Sequence, residues 1–206
     1  MSTESPPANG NGNGLAVHER FMATVRRACN TPEGRAVLRQ GLVDGLEDPW
    51  QMYVHLMPAG GIPIRDDIPE HALRRAEEPF LLIASLYAVH DAPSPRAGDK
   101  PLTERIAKPA KPWENLGWSL AHAARAGMRR ETATGLLSHL CELDYPALIT
   151  ELPSTVSLLR SNNVPIRWPV LLRDLTRYQR WAADVRIDWA RAYTNPANAA
   201  PKENRV

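Results

Sequence analysis

The chain has 206 residues, of which 43% are hydrophobic and 23% charged, and its net charge is +2. This is globular composition, enough for one domain or two small ones, and it excludes a membrane-spanning helix: the apolar run Phe80–Val89 is about half of the ~20 residues needed to cross a bilayer. Four of the 25 Lys and Arg residues are lysine, so 21 are arginine; arginine suits bidentate phosphate contacts, but codon bias in a GC-rich genome yields the same excess, and only placement decides.

The opening MSTESPPANGNGNG lacks the basic start and apolar core of a secretion signal. Its Pro, Asn, Gly and Ser content predicts a disordered tail over residues 1–14, and NPANAAPKENRV predicts another over 195–206. Two isolated cysteines, Cys29 and Cys141, sit in apolar-periodic segments. They point to buried thiols in a reducing cytoplasm, not to a disulfide framework.

The first ordered segment is LAVHERFMATVRRACN, where His18, Phe21, Met22, Val25 and Cys29 recur at helical spacing. Arg20 and Arg27 share another face, with Arg26 beside them. Thr31 is placed to cap a helix that has Pro32 at its first position. Leu38 and Leu42 form that helix's apolar row, and Arg35 and Arg39, four apart, its basic row. DPWQMYVHLM reads as a short aromatic helix opened by Asp48 and Pro49, PAGGIPIRDDIP as a loop, and PEHALRRAEE as a separate polar helix. Pro79 suits the start of a helix better than its interior. From Phe80 to Val89 apolar side chains cover nearly every side, the pattern of a central helix packed by neighbours, with His90 at its end.

Asp91–Pro112 is rich in proline and lysine and reads as an exposed connection. Beyond it WENLGWSLAHAARAG ends at Gly127. ETATGLLSHLCEL places Ala133, Leu136, Leu137 and Leu140 on one face. Asp144 caps YPALITELPSTVSLLRS, in which Pro153 predicts a kink or two short helices. Trp168-Pro169 opens PVLLRDLTRYQRW, with Leu171, Leu175, Tyr178 and Ala182 inward and Arg173, Arg177 and Arg180 on another side. DVRIDWARAYT closes the fold. No alternating strand is present. The expected architecture is all-α: two small helical bundles, residues 15–92 and 113–194, joined by a proline-rich connection over 93–112.

The search for chemistry finds no catalytic constellation. His90-Asp91 resembles half of a hydrolytic triad, but adjacent residues diverge, and a histidine at a helix C-terminus is favoured by the dipole. His139 and Cys141 diverge on their helix and lack zinc spacing. Gly60-Gly61 has no phosphate-loop lysine, and Asp66-Asp67 and Glu77-Glu78 read as solvated faces. No cofactor and no metal are expected, and the chain is not expected to be an enzyme. The arginine rows remain: Arg20 and Arg27 with Arg26 beside them, Arg35 and Arg39, Arg125 with Arg129 and Arg130, and Arg173, Arg177 and Arg180; of these Arg26, Arg27, Arg35, Arg39, Arg125, Arg129, Arg130, Arg173 and Arg177 are the candidate contacts. Such rows can track a phosphate backbone without reading bases, or they can be solvated faces with local salt bridges.

Three stretches in order, GRAVLRQGL, LIASLYAVH and NVPIRWPVLLRDLTRYQRW…DWARAYT, resemble the small subunit (CasB) of the type I-E CRISPR surveillance complex, Cascade. The likeness runs from Phe21 to Thr194. Arg35 and Arg39 fall on its RAxLR-like motif. Arg129-Arg130 lie a few positions ahead of the basic pair that often precedes the LL of the second half. The resemblance implies an all-helical, non-enzymatic cytoplasmic subunit in antiviral defence. Its partners would be the backbone and large subunits, a second copy of itself, guide RNA and target DNA, and it would help hold the heteroduplex and the displaced strand of an R-loop. The competing expectation is a helical protein–protein adaptor that binds through Trp50, Tyr53 and Trp118, with the arginines merely solvating it.

Overall fold

The structure is a computed structural model that describes residues 14–43, 46, 48–64, 68–90 and 110–195. The expected tails lie outside these residues except for Gly14 and Asn195, and so does the expected connection except for residues 110–112. Eight helices account for about three quarters of the described residues, and no strand occurs among them. They are α1 (Ala16–Ala28), α2 (Pro32–Gln40), α3 (Trp50–Leu56), α4 (Glu70–His90), α5 (Leu116–Arg125), α6 (Arg130–Glu142), α7 (Tyr145–Ser161) and α8 (Trp168–Thr194).

Local chemistry sets several boundaries. The Gly34 amide donates to Thr31 Oγ1 at 3.0 Å, and the Ala147 amide to Asp144 Oδ1 at 2.9 Å, so both expected N-caps are made. Asn115 caps α5, and a left-handed Gly127 (φ 116°) follows that helix. Helix α3 departs from expectation: it begins at Trp50 without a side-chain cap, and Asp48 does not hold its first turn.

Two prolines expected to interrupt helices do not. PEHALRRAEE and the apolar stretch behind it form one 21-residue helix, α4, with Pro79 inside it. A proline has no N–H, so the carbonyl four residues earlier loses its donor. That carbonyl belongs to Arg75, and it accepts instead from Gln179 Nε2 of α8 at 2.8 Å. Tertiary structure thus repairs the bond that Pro79 removes. Pro153 likewise sits inside a continuous α7. There Leu148, Leu152, Val156 and Leu159 are fully buried in one row. At roughly 1.5–3 kcal/mol for each buried aliphatic side chain, this row outweighs the ~3 kcal/mol that an interior proline costs.

Helix α8 is broken at Trp181, whose φ of −131° and ψ of 49° are not helical. Trp189 Nε1 donates to Asp174 Oδ2 at 2.8 Å although fifteen residues separate them. In a straight helix those positions stand about 22 Å apart. Residues 168–180 and 182–194 therefore fold back on each other as a hairpin. Arg177 Nη1 with Asp188 Oδ2 (3.0 Å) and Arg186 Nε with Tyr178 Oη (2.8 Å) close it further.

This hairpin is the common wall of the fold. Helix α5 packs on it most extensively, and α1 and α4 pack on it from the N-terminal half. The apolar stretch of α4 is buried from Pro79 to Ala88, as a central helix requires. Phe80 meets Phe21 of α1 edge-on at 5.0 Å between centroids, and Tyr87 meets Trp168 of α8 edge-on at 6.1 Å. His18 lies parallel to Phe80 and 3.5 Å from Thr176 Oγ1, and burial lowers its pKa to about 4. Both halves contribute to one continuous cluster of buried side chains. The described residues of both halves share this cluster, and α8 presents apolar surface to α5 on one side and to α1 and α4 on the other.

At Gly117 the crossing of α5 and α8 brings backbone against backbone: a Cβ there would stand 1.9 Å from the Trp189 carbonyl oxygen. Gly117→Ala should therefore cost about 2–4 kcal/mol in urea denaturation. The repair of α4 is tested by a double-mutant cycle. Gln179→Leu should destabilise by about 1 kcal/mol in the native background and by nearly nothing beside Pro79→Ala, whose new N–H reaches the Arg75 carbonyl directly. Equal effects in both backgrounds would show that Gln179 does not serve that carbonyl.

Candidate nucleic-acid interface

The predicted arginines divide by what they touch. Arg26 and Arg39 stand exposed on the last turns of α1 and α2, where a cation suits the negative end of the helix dipole. Arg129 and Arg130 are exposed at the N-cap and first position of α6, where the dipole opposes them, and only Glu131 compensates nearby. None of these four pairs with an acidic side chain among the described residues. Their guanidinium groups are unspent.

Arg27, Arg35 and Arg125 are partly committed. The Arg27 guanidinium donates to the Ala59 carbonyl, through Nε at 2.9 Å and through Nη2, and to Thr24 Oγ1 at 3.2 Å. It fastens the end of α1 to the loop after α3. Arg35 is half-buried near Cys29, where its charge partly offsets the burial that pushes the thiol up to about 11. Arg125 is exposed at the end of α5, with Nη2 2.7 Å from His122 Nδ1.

Arg173 and Arg177 are spent. Arg173 donates to Asp174 Oδ1 through Nε (3.0 Å) and Nη2 (2.6 Å), and to the Pro112 carbonyl at 2.9 Å. Asp174 is fully buried, which raises its pKa against the pull of Arg173 and Trp189. Arg173 keeps 13% of its side-chain surface, and Arg177, paired with Asp188, keeps 29%. Sequence spacing puts both on the polar side of α8. The partners that claim them lie one and eleven positions along the chain, across the hairpin break in the second case. The acid that pairs with Arg177 is Asp188.

Other arginines act as internal braces that spacing alone does not single out. Arg167 and Glu114 form a buried pair, with Nε 2.9 Å from Oε2. Arg160 Nη2 donates to the His90 carbonyl at 2.8 Å, and Arg186 Nη2 to the Leu143 carbonyl at 2.7 Å. The one signal for Arg167 was its setting between Ile166 and Trp168, an arginine inside an apolar run.

The aromatics offered for an adaptor do not form a patch. Trp118 is buried, Tyr53 is half-buried with its hydroxyl donating to Glu77 Oε2, and only Trp50 is exposed. His90 supplies its carbonyl to Arg160, while Asp91 lies outside the described residues, as do Asp66 and Asp67. Among the described residues, no three His, Cys, Asp or Glu side chains gather as a metal site, and no helix is long and apolar enough to cross a membrane.

The family model for CRISPR-associated protein Cse2 matches residues 34–193. A crystal structure of CasB from M. ruber is 26% identical, with 84% of this chain and 92% of that chain covered and a TM-score of 0.63. A chain of a CRISPR RNA-guided surveillance complex in a pre-nicking state is 28% identical, with 86% and 93% covered and a TM-score of 0.61. A Cse2-family protein from Thermus thermophilus, 21% identical over 85% of this chain and 96% of that one, shares the fold with a TM-score of 0.59. No curated protein matches the chain in sequence.

Proposed function

The chain belongs to the Cse2 family of CRISPR-associated proteins, and on that premise we propose that it is a non-catalytic small subunit of a type I-E Cascade effector complex that grips nucleic-acid backbone without reading bases. The observation that carries this reading is the division of the arginines. Among the described residues, Arg26, Arg39, Arg129 and Arg130 project without acidic partners from a rigid helical frame that other arginines brace. Guanidinium groups carried on braced helices, without base-reading neighbours, suit phosphates, and base pairing to a guide supplies sequence recognition. Arg27, Arg35 and Arg125 extend the same surfaces. We assign Arg173 and Arg177 to holding the α8 hairpin instead.

Relatives that share this fold include chains of CRISPR RNA-guided surveillance complexes. That likeness supports our reading that the partners are other subunits of such a complex; we take these to be the backbone and large subunits, a second copy of this chain, guide RNA and target DNA, in the cytoplasm. The subunit's role is to stabilise the R-loop by holding the heteroduplex and the displaced strand. The modest net charge of +2 fits a subunit whose contacts gain strength from the assembly around it.

Charge reversal separates binding from folding. Arg129→Glu with Arg130→Glu should leave the melting temperature unchanged or slightly raised, because acidic residues suit a helix N-terminus by about 0.3–1 kcal/mol each. The same pair should weaken binding of labelled RNA–DNA hybrid or single-stranded DNA about tenfold or more and lower the slope of log K against log salt by about two. Native affinity and slope in the reversed chain would remove both residues from the interface. Pull-down of the tagged chain from native lysate should bring a short RNA of uniform length with several proteins; one protein partner without RNA would favour an adaptor.

A further inference from the structure

Trp118, His122 and Arg125 follow one another at i, i+4 and i+7 on α5, so they share a face and rise from core to solvent: Trp118 is buried, His122 half-buried and Arg125 exposed. The Trp118 and His122 rings are 4.0 Å apart between centroids, and His122 Nδ1 lies 3.2 Å from the Trp118 carbonyl. Arg125 Nη2 lies 2.7 Å from His122 Nδ1 and 3.4 Å from Nε2. The ring's lone pair and N–H point outward in its plane, on opposite sides. A donor aligned with one ring nitrogen in that plane would stand far from the other. Closeness to both puts Nη2 over the face of the imidazole.

We propose that His122 is a positioning residue for Arg125: seated on Trp118, its ring carries the guanidinium on its face and leaves the outer edge of that group aimed at solvent for a backbone phosphate. This rests on the reading of Arg125 as a phosphate contact given above. An unsupported arginine samples many rotamers and must surrender that freedom on binding; one already laid on a ring surrenders less. The ring pair, tilted by 44° between planes, is itself fixed to the fold. Asn115 caps the helix beneath it through the Trp118 amide (3.3 Å), and its Nδ2 donates to the Asp188 carbonyl of α8 at 3.1 Å. Burial and the Arg125 charge hold the imidazole below the usual histidine range, against the pull of the Trp118 carbonyl and Glu114. At neutral pH the ring therefore meets the guanidinium as a neutral face.

The test uses the full chain in its co-purified complex, with labelled single-stranded DNA at fixed salt and a melting curve for each variant. Arg125→Ala should weaken binding about three- to tenfold and lower the salt slope by about one. His122→Ala should lose at least half as much, on a logarithmic scale. The double variant should be no weaker than Arg125→Ala alone, since the histidine acts through the arginine. His122→Phe, which keeps a flat ring on Trp118, should stay within about twofold of the native chain. If His122→Ala melts early, His122→Gln removes the ring while keeping the volume. Native affinity in the ring-less variant, additive losses in the double, or a His122→Phe as weak as His122→Ala would each overturn the positioning role. If Arg125→Ala binds normally, the phosphate reading of Arg125 fails and this role with it, whereas the Arg129 and Arg130 result stands apart.

Discussion

A carboxylate with no exposed surface organises this molecule. Asp174 is held by Arg173 beside it and by the indole N–H of Trp189 from the far arm of α8. A buried charge is tolerated only when its partners are in place, so the two arms of the hairpin can close in one register. Once closed, the hairpin fixes the Trp189 carbonyl against Gly117, the Asp188 carbonyl against Asn115 and Gln179 against α4. Arg173 extends the same constraint to the Pro112 carbonyl, where the second half of the chain begins. Removing either partner would strand the carboxylate, and the contacts with α5 and α4 would lose their common reference.

The arginines show how one residue type divides its labour. Those whose neighbours include a buried acid or an unpaired carbonyl turn inward and become struts, as Arg167, Arg160, Arg173 and Arg186 do. Those at helix ends without such neighbours stay in water and keep their donors. An interface for a polyanion needs both kinds. Guanidinium groups on a yielding scaffold would relax around a phosphate chain and contribute little geometric selection, whereas groups mounted on braced helices present fixed spacing.

Much of the fold was legible where the determinant is local. The Thr31 and Asp144 caps, the apolar rows of α1 and α6 and the all-round apolarity of Phe80–Val89 need only a few neighbouring residues to be recognised. What escaped depends on distant partners. Pro79 reads as a helix start because Gln179, which repairs the bond it breaks, lies 104 residues away from Arg75. Arg177 reads as a surface cation because Asp188 meets it only after the chain reverses at Trp181. Trp118 reads as a contact aromatic until the fold covers it. Exposure of the candidate arginines followed the same rule: Arg26, Arg39, Arg129 and Arg130 stay at the surface because no distant acid among the described residues claims them.

The shared core also bears on how the chain is made. His18 of α1 meets Thr176 of α8, a separation of 158 residues, and α4 packs on the same helix. A ribosome delivers α1 to α4 well before α8, at about 5–20 residues each second. For that interval the surface that α1 and α4 turn toward α8 has no cover, and α8, the last of the described helices, completes it. The nascent chain therefore passes through a sticky half-made state whose duration is set by translation speed, and chaperone demand should fall on the newborn chain before its core closes.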